Sequence, residues 1–388
     1  MRDLTTALAS RRAEHLYRQR AIMQSPQGVQ VHDGTQEYLS FCSNDYLGLA
    51  NHPAVIQAAK QALDTAGMGS GAAHLVTGHH RLHHELEDAL AEFTQRPRAL
   101  LFSTGYMANL AVVSAFYGKD DVVFEDRLNH ASLVDAGQLS AAQLVRYQHN
   151  DMLSLSQQLQ THQGDQRLIV SDGVFSMDGD QADVHAMHAI AQQHAADIMI
   201  DDAHGIGVIG REGRGVLIEQ GLDSDQVAFL VGTLGKAFGT FGAFVAGNDD
   251  VIEMLIQTAR PYIYTTALPP AIAAATLSSL ELVKTESWRR EKLRALMQQF
   301  RNGVEQLGLS LMPSDTPIQP LLCGDADTAL RASEVLREAG IWVTAIRPPT
   351  VPLNRARLRF TFSAAHEEAH VDRLLGTIEE RLLPLFKG

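Results

Sequence analysis

Lys236 lies in Gly-Thr-Leu-Gly-Lys-Ala-Phe-Gly (232–239), flanked by Gly235 and Ala237 and preceded by the apolar run Val227–Val231. Small neighbours leave room beside the backbone for a planar ring. An amine held against apolar surface gives up its proton more readily, which makes it a usable nucleophile and base. Such an amine can form a Schiff base with an aldehyde. A second candidate group ends another apolar run, where Ile198–Ile200 leads into Asp201-Asp202-Ala203-His204. An aspartate there can pair with a protonated ring nitrogen, and a lysine with such an aspartate is what pyridoxal-phosphate (PLP) chemistry requires. Read alone, Asp201 is equally a turn cap and His204 an ordinary loop histidine.

Other residues fit a polar shell or a plainer role. Ser103-Thr104-Gly105-Tyr106-Met107-Ala108-Asn109 follows the run Ala99–Phe102 and leads into a helical pattern, so Gly105 marks a helix N-terminus whose amides can hold a phosphate. Thr233 can offer its hydroxyl to the same anion or cap a turn. His130 can start a helix or stack on a cofactor ring, and Ser176 can cap or join the shell. In Arg357-Leu-Arg359-Phe-Thr-Phe, apolar and charged residues alternate as in a strand, and one arginine can clamp a carboxylate with both guanidinium nitrogens.

Two patterns point elsewhere. Gly205-Ile-Gly207-Val-Ile-Gly210 matches the dinucleotide fingerprint, but Gly213 and Gly215 follow where a helix must open, so a flexible loop is expected instead of a nucleotide-cofactor oxidoreductase. His80 and His84 have metal-ligand spacing within the cluster His79, His80, His83 and His84, yet no third ligand is indicated. A polar helix start without a metal is expected.

These residues need a scaffold that brings strand ends together. Apolar β-rich runs at Ala99–Ser103, Val122–Glu125, Gln143–Tyr147, Leu168–Ser171, Asp197–Asp201 and Val227–Gly232 alternate with helical patterns, which predicts an α/β fold: a mainly parallel sheet wrapped by helices. In 183–194, for example, Val184, Met187, Ile190 and Ala191 share one helical face before the next strand. Ligands gather at the carboxyl ends of such strands, where Ser171-Asp172, Asp201-Asp202 and Gly232-Thr233 fall. After Pro269-Pro270 come two helices, the second from Arg289, then a smaller C-terminal α+β unit with strands near 317–323, 341–346 and 357–362. The expected division is 1–50 (a helix and short strands), 51–285 (the large domain) and 286–388 (the small domain).

The 388 residues are 45% hydrophobic, enough for a substantial core. A net charge of −13 argues against broad nucleic-acid or membrane-surface binding. Only Cys42 and Cys323 occur, with no close spacing, so a reducing compartment is expected and a disulfide framework is not. The first twenty residues carry five arginines, but Asp3 and Glu14 interrupt any targeting pattern, and a surface helix in a cytoplasmic protein is expected.

Taken together, Ser43-Asn-Asp-Tyr-Leu-Gly48, Asp172–Asp180, Asp201–Gly205 and Gly232–Gly239 resemble the α-oxoamine synthases, PLP enzymes of fold type I that condense an amino acid with an acyl thioester. Ile318-Gln-Pro-Leu and Val343–Pro352 are most similar to the branch that joins L-alanine to a pimeloyl thioester, carried on coenzyme A or acyl carrier protein, in biotin biosynthesis. A neighbouring branch, glycine C-acetyltransferase, shares the same carbanion chemistry. The resemblance implies that Lys236 holds the cofactor, Asp201 pairs with its ring nitrogen, His204 bonds its phenolic oxygen and His130 stacks on it. Ser176 and Thr233 complete the shell, and Gly105 and Tyr106 lie on the phosphate side. It further implies that Asn44 and Arg359 hold the amino-acid carboxylate, that Arg18 and Thr350 contact substrate, and that in a homodimer Thr266 reaches the neighbouring copy's phosphate. Ala72, Ala73 and Asp172 depart from the family's usual residues.

Overall fold

The computed structural model describes residues 3–14 and 16–387. Thirteen strands occur among the described residues: β1 (Gln30–His32), β2 (Glu37–Ser40), β3 (Arg98–Phe102), β4 (Val122–Asp126), β5 (Gln143–Tyr147), β6 (Arg167–Asp172), β7 (Asp197–Asp201), β8 (Phe229–Thr233), β9 (Ala243–Gly247), β10 (Ile318–Gly324), β11 (Ile341–Trp342), β12 (Thr344–Ile346) and β13 (Ala356–Thr361). Seven of them form the central sheet in the order β3-β9-β8-β7-β6-β4-β5. All neighbours pair in parallel except β9, which runs against both β3 and β8.

The sheet is covered on both faces, and alternation along each strand sorts its side chains between two cores. Ile198 and Ile200 enter one core with Leu230 and Phe244, while Met199 enters the other with Val231 and Val245. That period of two, with both faces apolar, is why these strands read as short continuous hydrophobic runs. The helix expected over 183–194 forms at Val184–His194, capped by Asp183 accepting from the Ala186 amide.

β9 was not among the expected strands. No helix separates it from β8; instead the connection that carries Lys236 folds back on itself, with the Leu234 amide donating to Gly242 O at 2.9 Å and the Thr240 amide to Leu234 O at 2.9 Å. Lys236 therefore sits in a tight return between antiparallel strands, where Gly239 and Gly242 take positive φ.

The segment expected as one strand at 341–346 divides between two sheets. β11 pairs in parallel with β2, and β12 pairs antiparallel with β13, which also pairs with β10. Further hydrogen bonds tie residues 30–47 to the C-terminal part, from the Thr361 amide to Phe41 O at 2.7 Å and from the Ala364 amide to Tyr46 O at 2.8 Å. Asn44 and Tyr46 thereby stand beside β13 and its Arg359. No helix among the described residues is long and apolar enough to cross a membrane.

Candidate active site

The carboxyl ends of β6, β7 and β8 lie side by side, and Asp172 is the register partner of Asp201. Asp201 is buried, its Oδ1 accepting the Ala203 amide at 3.0 Å and its Oδ2 accepting from Asn109 Nδ2 at 2.7 Å. The same Asn109 nitrogen donates to Ser132 Oγ at 2.9 Å. Asn109 lies on the Gly105–Phe116 helix, which Thr104 caps by accepting the Met107 amide at 3.2 Å. The turn that can hold an anion and the aspartate that can meet a ring nitrogen are thus joined through one buried amide.

Lys236 Nζ is 2.8 Å from His204 Nε2, and His204 Nδ1 is 2.6 Å from the Tyr46 hydroxyl. Burial, with the carboxylates of Asp201 and Asp172 opposing it, pushes the Lys236 amine down to about 8. Burial and then the neighbouring Lys236 charge hold His204 well below the usual imidazole range, so its ring is neutral. Burial also raises the Tyr46 phenol to about 12. The relay continues from the Tyr46 hydroxyl to Asn44 Oδ1 at 3.3 Å, an oxygen that also accepts from Arg359 at 3.2 and 3.3 Å.

Arg359 is buried, and its Nε donates to the Ser176 carbonyl at 2.6 Å. Two residues back, Arg357 Nη1 reaches Asp178 Oδ1 at 2.7 Å and the Met177 carbonyl at 3.2 Å. Both arginines therefore grip the loop between β6 and the Val184–His194 helix. Its far end is held by His149, which lies 3.0 Å from Asp126 and 2.9 Å from Asp180.

His130 caps the Ala131–Leu139 helix, as its plainer reading expected, and its own amide donates to Asp172 Oδ2 at 2.7 Å. Its Nδ1 is 2.7 Å from Ser132 Oγ, and burial lowers its pKa. Burial and then the Asp201 charge push Asp172 well above the usual carboxylate range, so Asp172 resists adding a second negative charge beside Asp201.

Thr233 donates to Gly242 O at 3.2 Å at the end of β8. Tyr106, partly exposed, donates to Asp135. A side-chain carbon built at Gly105 meets nothing within 4 Å, so the space over the first turn of that helix is open.

Three expected residues lie apart from these bonds. Thr266 is exposed and bridges to Ala73, Thr350 sits in an exposed turn bonded to the Arg347 carbonyl, and Arg18 is exposed on an irregular segment. The glycine run at 205–210 opens no α-helix, only the single 3-10 turn Arg211–Gly213. A Cβ at Gly205 or Gly215 falls 2.1 Å from an oxygen of Asp202, and one at Gly207 falls 2.7 Å from the Cβ of Ala237. This loop packs around Asp202 and against the residue after Lys236; close approach is what demands its glycines.

Tyr46, Asn109 and His149 had not been singled out from the sequence. Tyr46 and Asn109 were inside quoted motifs, and only the fold puts them against His204 and Asp201. His149 lay outside every motif.

A model of the aminotransferase class I and II family matches residues 36–378. The chain belongs to that family. It is 61% identical over 97% of its length to a protein named 8-amino-7-oxononanoate synthase from Pseudomonas savastanoi pv. phaseolicola, covering 95% of that protein. A protein of the same name from Stutzerimonas stutzeri is 60% identical, with 97% of this chain and 96% of that one covered. Among solved structures, serine palmitoyltransferase from Sphingomonas wittichii superposes with a TM-score of 0.93 at 32% identity, covering 99% of this chain and 98% of the other. An 8-amino-7-oxononanoate synthase from Francisella tularensis gives 0.78 at 32% identity, covering 89% and 98%. A serine palmitoyltransferase from S. paucimobilis, solved with PLP bound to myriocin, gives 0.92 at 31%, covering 99% and 98%. The family member described here has the fold type I of PLP-dependent enzymes, as the sequence led one to expect.

Proposed function

We propose that this chain binds PLP and condenses L-alanine with a pimeloyl thioester, on coenzyme A or acyl carrier protein, giving 8-amino-7-oxononanoate, CO2 and the free thiol in biotin biosynthesis. The observation that carries this reading is identity of 61% across 97% of the chain to a protein named for that product. The reading includes a cytoplasmic homodimer.

The residues present fit PLP. An amine poised near neutrality, a buried aspartate held by two donors, and an open helix N-terminus lie on adjacent elements of one sheet. In this reading Lys236 anchors the cofactor, Asp201 meets its ring nitrogen, His204 its phenolic oxygen, and His130 its face. Gly105, Tyr106, Ser176 and Thr233 complete the polar surroundings, with Thr266 serving the neighbouring copy. Bound PLP supplies an electron sink for negative charge at the amino-acid Cα.

The chain's own groups do the remaining work. Lys236 Nζ takes and returns the Cα proton, and its pKa near 8 keeps both protonation states accessible at neutral pH. The neutral His204 ring accepts from that amine and donates to Tyr46, so the amine is oriented without a second positive charge next to it. Arg359, steadied by Asn44 and by the Ser176 carbonyl, holds the alanine carboxylate. Arg18 and Thr350 meet the acyl substrate.

The test is product identification with alanine or glycine against pimeloyl or acetyl thioester. The 8-amino-7-oxononanoate product from alanine and pimeloyl thioester is expected. Preference for glycine with the acetyl thioester is the outcome that overturns the reading.

A further inference from the structure

A cleft of about 250 Å3 opens at the start of the Arg81–Thr94 helix, and its lining includes His74, His79, His84, Glu87 and Tyr262 but not Lys236. Two overlapping groups of possible ligands meet there, His74 with His79 and His83, and His79 with His84 and Glu87, each with its ligand atoms within 4.8 Å of one another.

The first group is already spent. His83 Nδ1 accepts the His80 amide at 2.9 Å, and His83 Nε2 donates to the Leu268 carbonyl at 2.7 Å, which leaves no lone pair for an ion. His80, which has metal-ligand spacing to His84, instead caps the helix by accepting the Leu82 amide at 3.2 Å.

The second group is open. His79 Nδ1 lies 2.9 Å from His74 Nδ1, and His74 is itself stacked on Tyr262 at 5.0 Å. When His79 donates in that contact its tautomer is fixed and its Nε2 carries a lone pair, the arrangement that outer partners impose on metal-bound histidines. That Nε2 lies 3.9 Å from Glu87 Oε2. The gap is too long for a hydrogen bond, and it needs to close by only a few tenths of an ångström for a tetrahedral ion about 2.0–2.2 Å from each ligand, whose ligands lie roughly 3.3–3.6 Å apart. Glu87 is buried, its Oε1 is fixed by the Leu101 amide at 3.0 Å, and no lysine or arginine among the described residues pairs with it. His84 precedes Glu87 by three residues on the same helical face.

We propose that His79 Nε2, a ring nitrogen of His84 and Glu87 Oε2 bind one divalent late transition ion, zinc by the chemistry of two imidazoles and a carboxylate, with water in the fourth position. Three protein ligands and a water make an open site, but Lys236 is not in its lining, so the role of the ion is to hold position. It ties the segment around His79 to the helix, and that segment continues from Ala72 and Ala73, which bond to Ala267 and bridge to Thr266. The ion thus stiffens the backbone that presents Thr266.

The test is titration of the holoenzyme with zinc alone against a chromophoric chelator. One equivalent per chain is expected, with affinity falling at least about tenfold in His84→Ala, and also falling in His74→Ala through loss of the partner that orients His79. His84 has a side chain 69% exposed, so its replacement leaves the fold intact, whereas Glu87→Gln is the more invasive check. Thermal midpoints with and without zinc give a second readout, a rise in the parent that His84→Ala lacks. Equal zinc affinity in the parent and His84→Ala, or no stoichiometric zinc in the parent, overturns the proposal.

Discussion

Lys236 Nζ lies 2.8 Å from His204 Nε2. Because burial keeps that imidazole neutral, the ring accepts from the amine on one side and donates to Tyr46 on the other, and the chain of bonds ends at Asn44 and Arg359. Lys236, proposed to handle the proton, and Arg359, proposed to hold the carboxylate, are therefore positioned by one continuous set of hydrogen bonds. Replacing Tyr46 with Phe removes the middle link without a large change in shape. It leaves His204 Nδ1 buried and unpaired, at a cost of about 1–3 kcal/mol. We expect kcat to fall roughly tenfold or more while PLP remains bound. Steady-state kinetics with the cofactor absorbance as control checks this, and an unchanged kcat refutes the relay.

The depressed amine makes a pH prediction for the apoenzyme. A neutral amine adds to an aldehyde and a protonated one does not. With its pKa at about 8, Lys236 is about one-tenth neutral at pH 7, against far less for an ordinary lysine near 10.4. The rate of PLP uptake should rise about tenfold per pH unit below 8 and level off above it. Stopped-flow absorbance across pH 6–10 measures the profile, and a midpoint near 10 contradicts the assignment of Lys236.

Asn109 is fully buried and gives Nδ2 to both Asp201 and Ser132. Asn109→Ala strips a charge-assisted bond from Asp201, worth about 1.5–3 kcal/mol. The expected result is weaker PLP binding and a loss of activity of tenfold or more, with less effect on alanine KM. Equilibrium dialysis of the cofactor and separate kcat and KM values distinguish this from general unfolding.

The sheet was legible where its strands carried continuous apolar runs between helical patterns, and the place of Asp201, Thr233 and Lys236 along one sheet edge was legible because each ends or follows such a run. β9 escaped for a physical reason: its Ala-Phe-Val-Ala-Gly is short and follows a glycine-rich return, not a crossover helix. Tyr46 and Asn109 escaped because their importance lies in contacts across 158 and 92 residues of chain, which no local pattern carries. The split of 341–346 into β11 and β12 likewise depends on a partner strand near the N-terminus. Arg359 was readable as a candidate clamp, while its anchoring by the Ser176 carbonyl was not.

His149 clamps Asp126 to Asp180 from the side, with its ring edge against Phe175. Burial lowers its pKa, but hydrogen bonds to Asp126 and Asp180 and their charges outweigh that and push it up to about 10. A raised folded-state pKa means stabilisation that is fully present below about 6.5, the unfolded value, and lost as pH climbs toward 10. His149→Gln should therefore lower stability by about 2 kcal/mol at pH 6. The gap from the parent should narrow steadily by pH 10. Denaturant midpoints at several pH values test it, and a gap independent of pH excludes the charged clamp.

Arg359 offers a separation of binding from chemistry. Its guanidinium is fixed by the Ser176 carbonyl, Asn44 and Thr361, so its position is set before substrate arrives. Lysine keeps the charge but cannot satisfy those three partners and a carboxylate together, since it lacks the planar fork. Arg359→Lys should raise alanine KM by roughly 10- to 100-fold, in line with about 1.5–3 kcal/mol for a charged hydrogen bond. The midpoint for PLP uptake by Lys236 should stay near 8, because the lysine restores the positive charge. A variant with unchanged alanine KM places the substrate carboxylate elsewhere. Loss of PLP binding in the variant instead assigns Arg359 to holding the Ser176 loop.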